Sequence, residues 1–291
     1  MADVFRTPDE RFSELPGWDF PPLYVDVDGL RMHYVDSGGS GSPVVCFHGE
    51  PTWAYLYRKV AREVVAAGHR FVAVDMPGFG RSDKPTDRGW YSYDRHFDHV
   101  SAVLAKLELG DATVVVQDWG GPVGLRWAVS NAERVAALVV LNTGLFTGRV
   151  SKGFMAWRDF AERTPDLPIG TIVDGATARD LDPAVKAAYE APFPSVEAKA
   201  GAAQFPLLVP LTADAPGAAE MAWVMDELSR WEKPCLVMFS DSDPVFPYPR
   251  SGDVFCELVP GAGEQVRVSD AAHFLQEDAG DFIGQRIVDF L

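Results

Sequence analysis

Cysteine is scarce in this 291-residue chain, and the three present, Cys46, Cys235 and Cys256, are odd in number and far apart. No Cys-x-x-Cys pair occurs, so a disulfide framework, a zinc ribbon and a dithiol redox centre have no support. Cys46 and Cys235 lie inside apolar strand-like runs, which suits buried free thiols and a reduced, cytoplasmic setting. Positive charge is also short. The chain has 26 Lys and Arg against 42 Asp and Glu, a net charge of −16 that disfavours nucleic acid and anionic membranes as partners. No apolar stretch approaches the roughly 18 residues needed to cross a bilayer. The opening Met-Ala-Asp-Val-Phe-Arg-Thr-Pro-Asp-Glu has acids and a proline where a secretory leader needs a basic start and an apolar run. Glycine-rich "GFGRSDKP" (78–85) lacks the Gly-Lys-Ser/Thr ending of a phosphate loop and reads as a structural loop. We expect no metal.

What is present is an ordinary apolar fraction of 47% and a length sufficient for a substantial core. Residues 23–36 alternate with a period of two, as in a half-buried antiparallel hairpin. The pattern then changes to continuous β-branched runs ending in Gly, Asp or Asn, at 43–49, 70–78, 112–118, 136–144 and 233–243. Such runs suit strands covered on both faces of a parallel sheet. Helical segments near 54–67, 93–109 and 121–130 separate the first four. A short strand near 265–268 and a helix from about 278 complete the series. The alternation breaks between about Phe146 and Leu228, a Pro-, Ala- and aromatic-rich stretch too long for a simple connection. A small helical cap over the C-terminal strand ends is expected there.

The run "VVVQDWGGPVG" (114–124) reads as a buried strand, a sharp turn and the start of a helix. Turns at this edge of a parallel sheet are where α/β proteins place ligand chemistry. Asp118 stands at the turn, where the helix N-terminus favours its ionised form, although N-capping is a common duty for such an aspartate. Other groups fall at the same edge. "FHGEPTW" (47–53), "DMPGFGRSDKP" (75–85), "DSDP" (241–244) and "SDAAHFLQE" (269–277) all follow strands. Asp118, an acid at 241 or 243, and His273 therefore occur in the chain order nucleophile, acid, histidine. A carboxylate nucleophile has a distinct chemical implication. Displacement at an sp³ carbon by serine would leave an ether, whereas a carboxylate leaves an alkyl ester that water can cleave. Carbon–halogen bonds and epoxides fit this chemistry, and amide or ester substrates do not.

At these residues the chain resembles the α/β-hydrolase superfamily over nearly its whole length, and within it the haloalkane dehalogenases. "HGEPTW" (48–53), "VQDWGG" (116–121), "GFMAWRDF" (153–160) and "AAHF" (271–274) carry the resemblance. It implies an α/β fold with a mostly parallel eight-stranded sheet flanked by helices. The core would be 1–145 and 229–291, with a helical cap at 146–228 inserted before the strand that carries the acid. By resemblance Asp118 is the nucleophile and His273 the general base. Asp243, in its Asp-Pro pair, is preferred to Asp241 as the triad acid. Strand end "LNTG" offers Asn142 and no carboxylate, which reinforces that choice. Backbone N–H groups of Glu50 and Trp119 would form the oxyanion hole, with Glu50–Pro51 in the cis form. Trp119 and Trp157 would hold the departing halide through donor-only indole N–H groups. Trp223 lacks the cap motif, and Glu50, where another branch has Asn, would position the hydrolytic water. The expected partners are a small halogenated aliphatic substrate, halide and water, acting on a monomer without cofactor.

An epoxide hydrolase using the same aspartate is the alternative, but it needs lid tyrosines, usually two. The cap contains one, Tyr189. Arginines just beyond the nucleophile, suited to a carboxylated substrate, are missing, since Trp-Gly-Gly-Pro follows Asp118 and the first arginine is Arg126. A binding-only hydrolase fold is disfavoured by the complete set of groups. Phe146, Phe154, Phe160, Phe193 and Phe205 are cap aromatics from which sequence does not select pocket-lining residues.

Overall fold

A computed structural model describes residues 3–148, 150 and 152–291, so positions 149 and 151 of the expected cap lie outside the described residues. The β-branched runs form strands whose side chains are buried on both faces. In chain order the main sheet comprises β1 (Leu23–Val27), β2 (Leu30–Asp36), β3 (Pro43–Phe47), β4 (Arg70–Val74), β5 (Ala112–Gln117), β6 (Val135–Leu141), β7 (Cys235–Ser240) and β8 (Val266–Val268). Every residue of β3, β5 and β7 is buried, which explains their lack of alternation. β1 and β2 form the expected hairpin, with Leu23 opposite Tyr34 and Val27 opposite Leu30.

The spatial order is β8-β7-β6-β5-β3-β4-β2-β1. β2 runs antiparallel to both neighbours, and all pairs from β4 to β8 are parallel. The chain leaves β3 toward β4 on one side and later returns to β5 on the other, so the order reverses between β3 and β5. Crevices for ligands open at such a switch point. The loops after β3 and β5, carrying Glu50 and Asp118, flank it.

Helices α1 (Arg58–Ala66), α2 (Tyr93–Ala105) and α3 (Gly120–Ser130) link the first strands. Between β6 and β7 come α4 (Lys152–Arg163), α5 (Ile169–Gly175), α6 (Pro183–Glu190), α7 (Ala200–Gln204) and α8 (Ala218–Leu228). α9 (Arg250–Leu258) and α10 (Leu275–Phe290) complete the helices labelled here. α10 begins three residues before the expected 278, and the cause is visible. Ala279 has φ −135° and ψ 30°, so two helical pieces meet at a kink, and only the second shows the regular apolar period. A two-residue pairing of Val4–Phe5 with Lys84–Pro85 was not anticipated. It places the "GFGRSDKP" loop in a structural role, since Arg6 makes a bidentate pair with Asp83.

Candidate active site

The turn after β5 holds Asp118 at φ +49°, in the left-handed region that non-glycine residues rarely adopt. Its backbone is over-determined. The amide donates to the Asn142 carbonyl at 3.0 Å, and the carbonyl accepts from Gly121 N at 2.9 Å and from Thr143 Oγ1 at 2.6 Å. The glycine after Trp119 is a steric requirement: a Cβ on Gly120 would run into the Phe47 carbonyl oxygen. Strained backbone held by surrounding hydrogen bonds aims the carboxylate off the sheet edge.

Asp118 Oδ1 accepts the Glu50 amide at 2.8 Å, and Oδ2 lies 3.5 Å from His273 Nε2. His273 Nδ1 meets Asp243 Oδ2 at 2.9 Å, while Asp243 Oδ1 accepts from Val245 N at 2.7 Å. The three sequence-predicted groups thus form a continuous chain from the loops after β5, β7 and β8. Asp241, the rival acid, points elsewhere and pairs with Arg267 at 2.8 Å. Burial alone would lower the His273 imidazolium, but the carboxylates of Asp243 and Asp118 outweigh it and push its pKa up to about 10. The Trp119 amide makes no hydrogen bond to Asp118 among the described residues, whereas the Glu50 amide does. Glu50–Pro51 is cis.

A cavity of about 710 Å³ opens above these groups. Its floor is Glu50, Asp118, Trp119 and His273, and its roof comes from α4 and α5, including Trp157. Trp119 is buried, packed edge-on against Phe205 at 4.8 Å, and Trp157 is half-buried beside Phe160 at 5.8 Å. Neither indole N–H hydrogen-bonds a described residue, which leaves both as donors to a guest. Phe146, Phe154 and Phe160 line the cavity, but Phe193 and Phe205 pack in the core around Phe79. Trp223 is exposed and lies outside it. No lysine, arginine or tyrosine lines the cavity among the described residues. Tyr189, on which the epoxide alternative depended, is buried in α6 outside the cavity lining, with its hydroxyl bonded to Glu277.

Three supports were not visible beforehand. Asn142 Nδ2 donates to Ser240 Oγ at 2.6 Å and to the Ala272 and His273 carbonyls at 3.1 and 3.3 Å. Gln117 Nε2 also donates to the His273 carbonyl, at 3.2 Å. Asp278 accepts from Ala272 N at 3.0 Å and from Ala178 N at 2.9 Å, and Phe274 N donates to the Ala176 carbonyl at 3.1 Å. The loop bearing His273 is therefore fixed both to the sheet and to the lid segment 176–178 at the cavity wall. The position of Asn142 at a strand end was the sole sequence signal, and it was read only for its lack of charge.

The chain is similar to known proteins over nearly its whole length. Residues 42–280 match a family described as the alpha/beta hydrolase fold. A haloalkane dehalogenase of Psychrobacter cryohalolentis is 44% identical, covering 99% of this chain and 98% of its own. One from Mycobacterium marinum is 45% identical over 98% of this chain and 99% of that protein. Among solved structures, the tetrameric haloalkane dehalogenase DpaA of Paraglaciecola agarilytica NO2 superposes with a TM-score of 0.92 at 33% identity, covering 98% and 97% of the two chains.

Proposed function

The chain belongs to the haloalkane dehalogenases of the α/β-hydrolase fold, and from that premise we propose how its residues divide the work of hydrolytic dehalogenation. Asp118 Oδ2 attacks the carbon bearing the halogen. A C–O bond forms as the carbon–halogen bond breaks, and the electron pair leaves with the halide. His273 then takes a proton from water that attacks the Asp118 carboxyl carbon, and Asp243 stabilises the resulting imidazolium. The Glu50 amide, joined by that of Trp119, stabilises the oxyanion of the tetrahedral intermediate. Collapse releases alcohol, protonated from His273, and the carboxylic acid left on Asp118 sheds the net proton to solvent, which restores the carboxylate. Halide leaves from between the Trp119 and Trp157 indoles.

The observation that carries this assignment is the pairing in one cavity of a carboxylate nucleophile with two unpartnered indole donors. Those donors suit an anion that arrives without a proton, and among the described residues no tyrosine lines the cavity to activate an epoxide oxygen. The test supplies 1-bromobutane, 1,2-dibromoethane and an aryl epoxide, and follows halide and acid release. Both bromides should yield one halide and one proton for each C–Br bond cleaved. Epoxide turnover without halide release would overturn the assignment. Trp157→Phe is expected to weaken bromide binding by roughly tenfold or more, the worth of one hydrogen bond to a charged group. Bromide quenching of tryptophan fluorescence measures it, and an unchanged affinity would place the second donor elsewhere.

The cap is proposed as 146–228 on a core of 1–145 and 229–291. All the groups named above come from one chain, which supports a site that works as a monomer. No helix among the described residues is long and apolar enough to cross a membrane. Buried free thiols at Cys46 and Cys235 support a cytoplasmic location.

A further inference from the structure

The cavity contains one ionisable side chain whose protonation the mechanism above does not assign. Glu50 is 5% exposed and lines the cavity together with Asp118, and its Oε1 is buried without a hydrogen-bond partner. Two charged groups act on it, Asp118 from the turn after β5 and His273 from the loop after β8. Other neighbours are engaged elsewhere. His48, on the same loop as Glu50, has Nδ1 2.9 Å from the Gly49 carbonyl and accepts from Met76 N at 3.0 Å on Nε2. Asp75, behind His48, is held by His33, Ala54 N and Arg81 N, and Asp243 is held by His273 and Val245 N. The lining offers no lysine or arginine. A His273 imidazolium is already shared by two carboxylates. An ionised Glu50 would be a third anion on one cation, in the chamber from which halide must depart.

Building on the dehalogenation assignment, we propose that Glu50 enters each turnover as a neutral carboxylic acid. Its carbonyl oxygen accepts the second proton of the hydrolytic water, and its O–H donates into the cavity. Charge near the departing halide is then limited to the Asp118–His273–Asp243 chain. The Glu50 proton is not transferred: displacement moves none, and in hydrolysis the water proton goes to His273. Burial, and after it the charge of Asp118, hold the Glu50 carboxyl well above the usual carboxylate range, in keeping with this geometry.

Infrared difference spectra of wild type minus Glu50→Gln at pH 7 provide the direct test. A protonated carboxyl C=O stretch belonging to Glu50 is expected, and carboxylate stretches in its place would overturn the proposal. Glu50→Leu assigns the same band should Glu50→Gln fail to fold. Rates give a second readout, because glutamine keeps a donor and a carbonyl at the same reach. Ester hydrolysis in single-turnover measurements should fall by about tenfold or more in Glu50→Ala and recover to within about fivefold of wild type in Glu50→Gln. Equal losses in the two variants would count against a neutral acid. The dehalogenation assignment is judged separately, by formation of the alkyl ester in His273→Phe. An ester that forms beside an ionised Glu50 defeats only the present inference.

Discussion

Exchange of His273 for phenylalanine should give an enzyme that releases about one equivalent of bromide and then stops. Displacement needs the Asp118 carboxylate and the indole donors, all of which remain. The replacement ring is accommodated, since the imidazole already stacks on Phe246 at 5.9 Å and meets Phe274 edge-on at 4.7 Å. Hydrolysis loses its base, and general-base catalysis is commonly worth about 10²–10⁴ in rate. After exposure to 1-bromobutane the intact mass should rise by one butyl group, placed by peptide mapping on Asp118. Bromide release with an unmodified mass would remove the ester from the mechanism.

Substitution of Asp243 by asparagine should cost about 10³–10⁴ in kcat, as removal of a buried histidine-orienting carboxylate does elsewhere. The acid does two things: its Oδ2 fixes the imidazole ring through Nδ1, and its charge is the leading favourable influence on His273 protonation. An amide keeps the shape and loses the charge. Asp241 supplies the control. Its partner Arg267 is largely solvent-exposed, and exposed ion pairs contribute little, so Asp241→Asn should stay within about threefold of wild type. Steady-state kinetics on both variants decides between the two acids. A larger loss at Asp241 would transfer the role to it.

The sheet was legible because doubly covered strands write themselves as unbroken runs such as Val114-Val115-Val116. That Asp118, Asp243 and His273 would meet was legible because each follows a strand, at the edge where the loops converge. Less could be read in the lid. Phe160 and Phe205 look alike in sequence, yet one lines the cavity and the other lies under Trp119. Their separation depends on how short helices rotate against the core, and five- to twelve-residue helices carry too few turns to encode that. Asn142 and Gln117 escaped for a different reason. They act on backbone carbonyls 131 and 156 positions away, and a main-chain acceptor leaves no residue type to recognise. The protonation of Glu50 follows from burial beside a second carboxylate, which exists only after folding.

The hydrogen bonds from Ala178 N and Ala272 N to Asp278, and from Phe274 N to the Ala176 carbonyl, make the lid edge and the base loop one piece. Prising the lid away along that edge would break the two bonds made by Ala178 N and the Ala176 carbonyl, each worth roughly 0.5–1.5 kcal/mol net, and would disturb the loop that carries His273. The cavity wall at 176–178 is therefore set in place by the loop that carries His273. Substitutions at 176–178 that enlarge the cavity are expected to loosen the base loop as well, so that a wider substrate range comes with slower ester cleavage in single-turnover measurements.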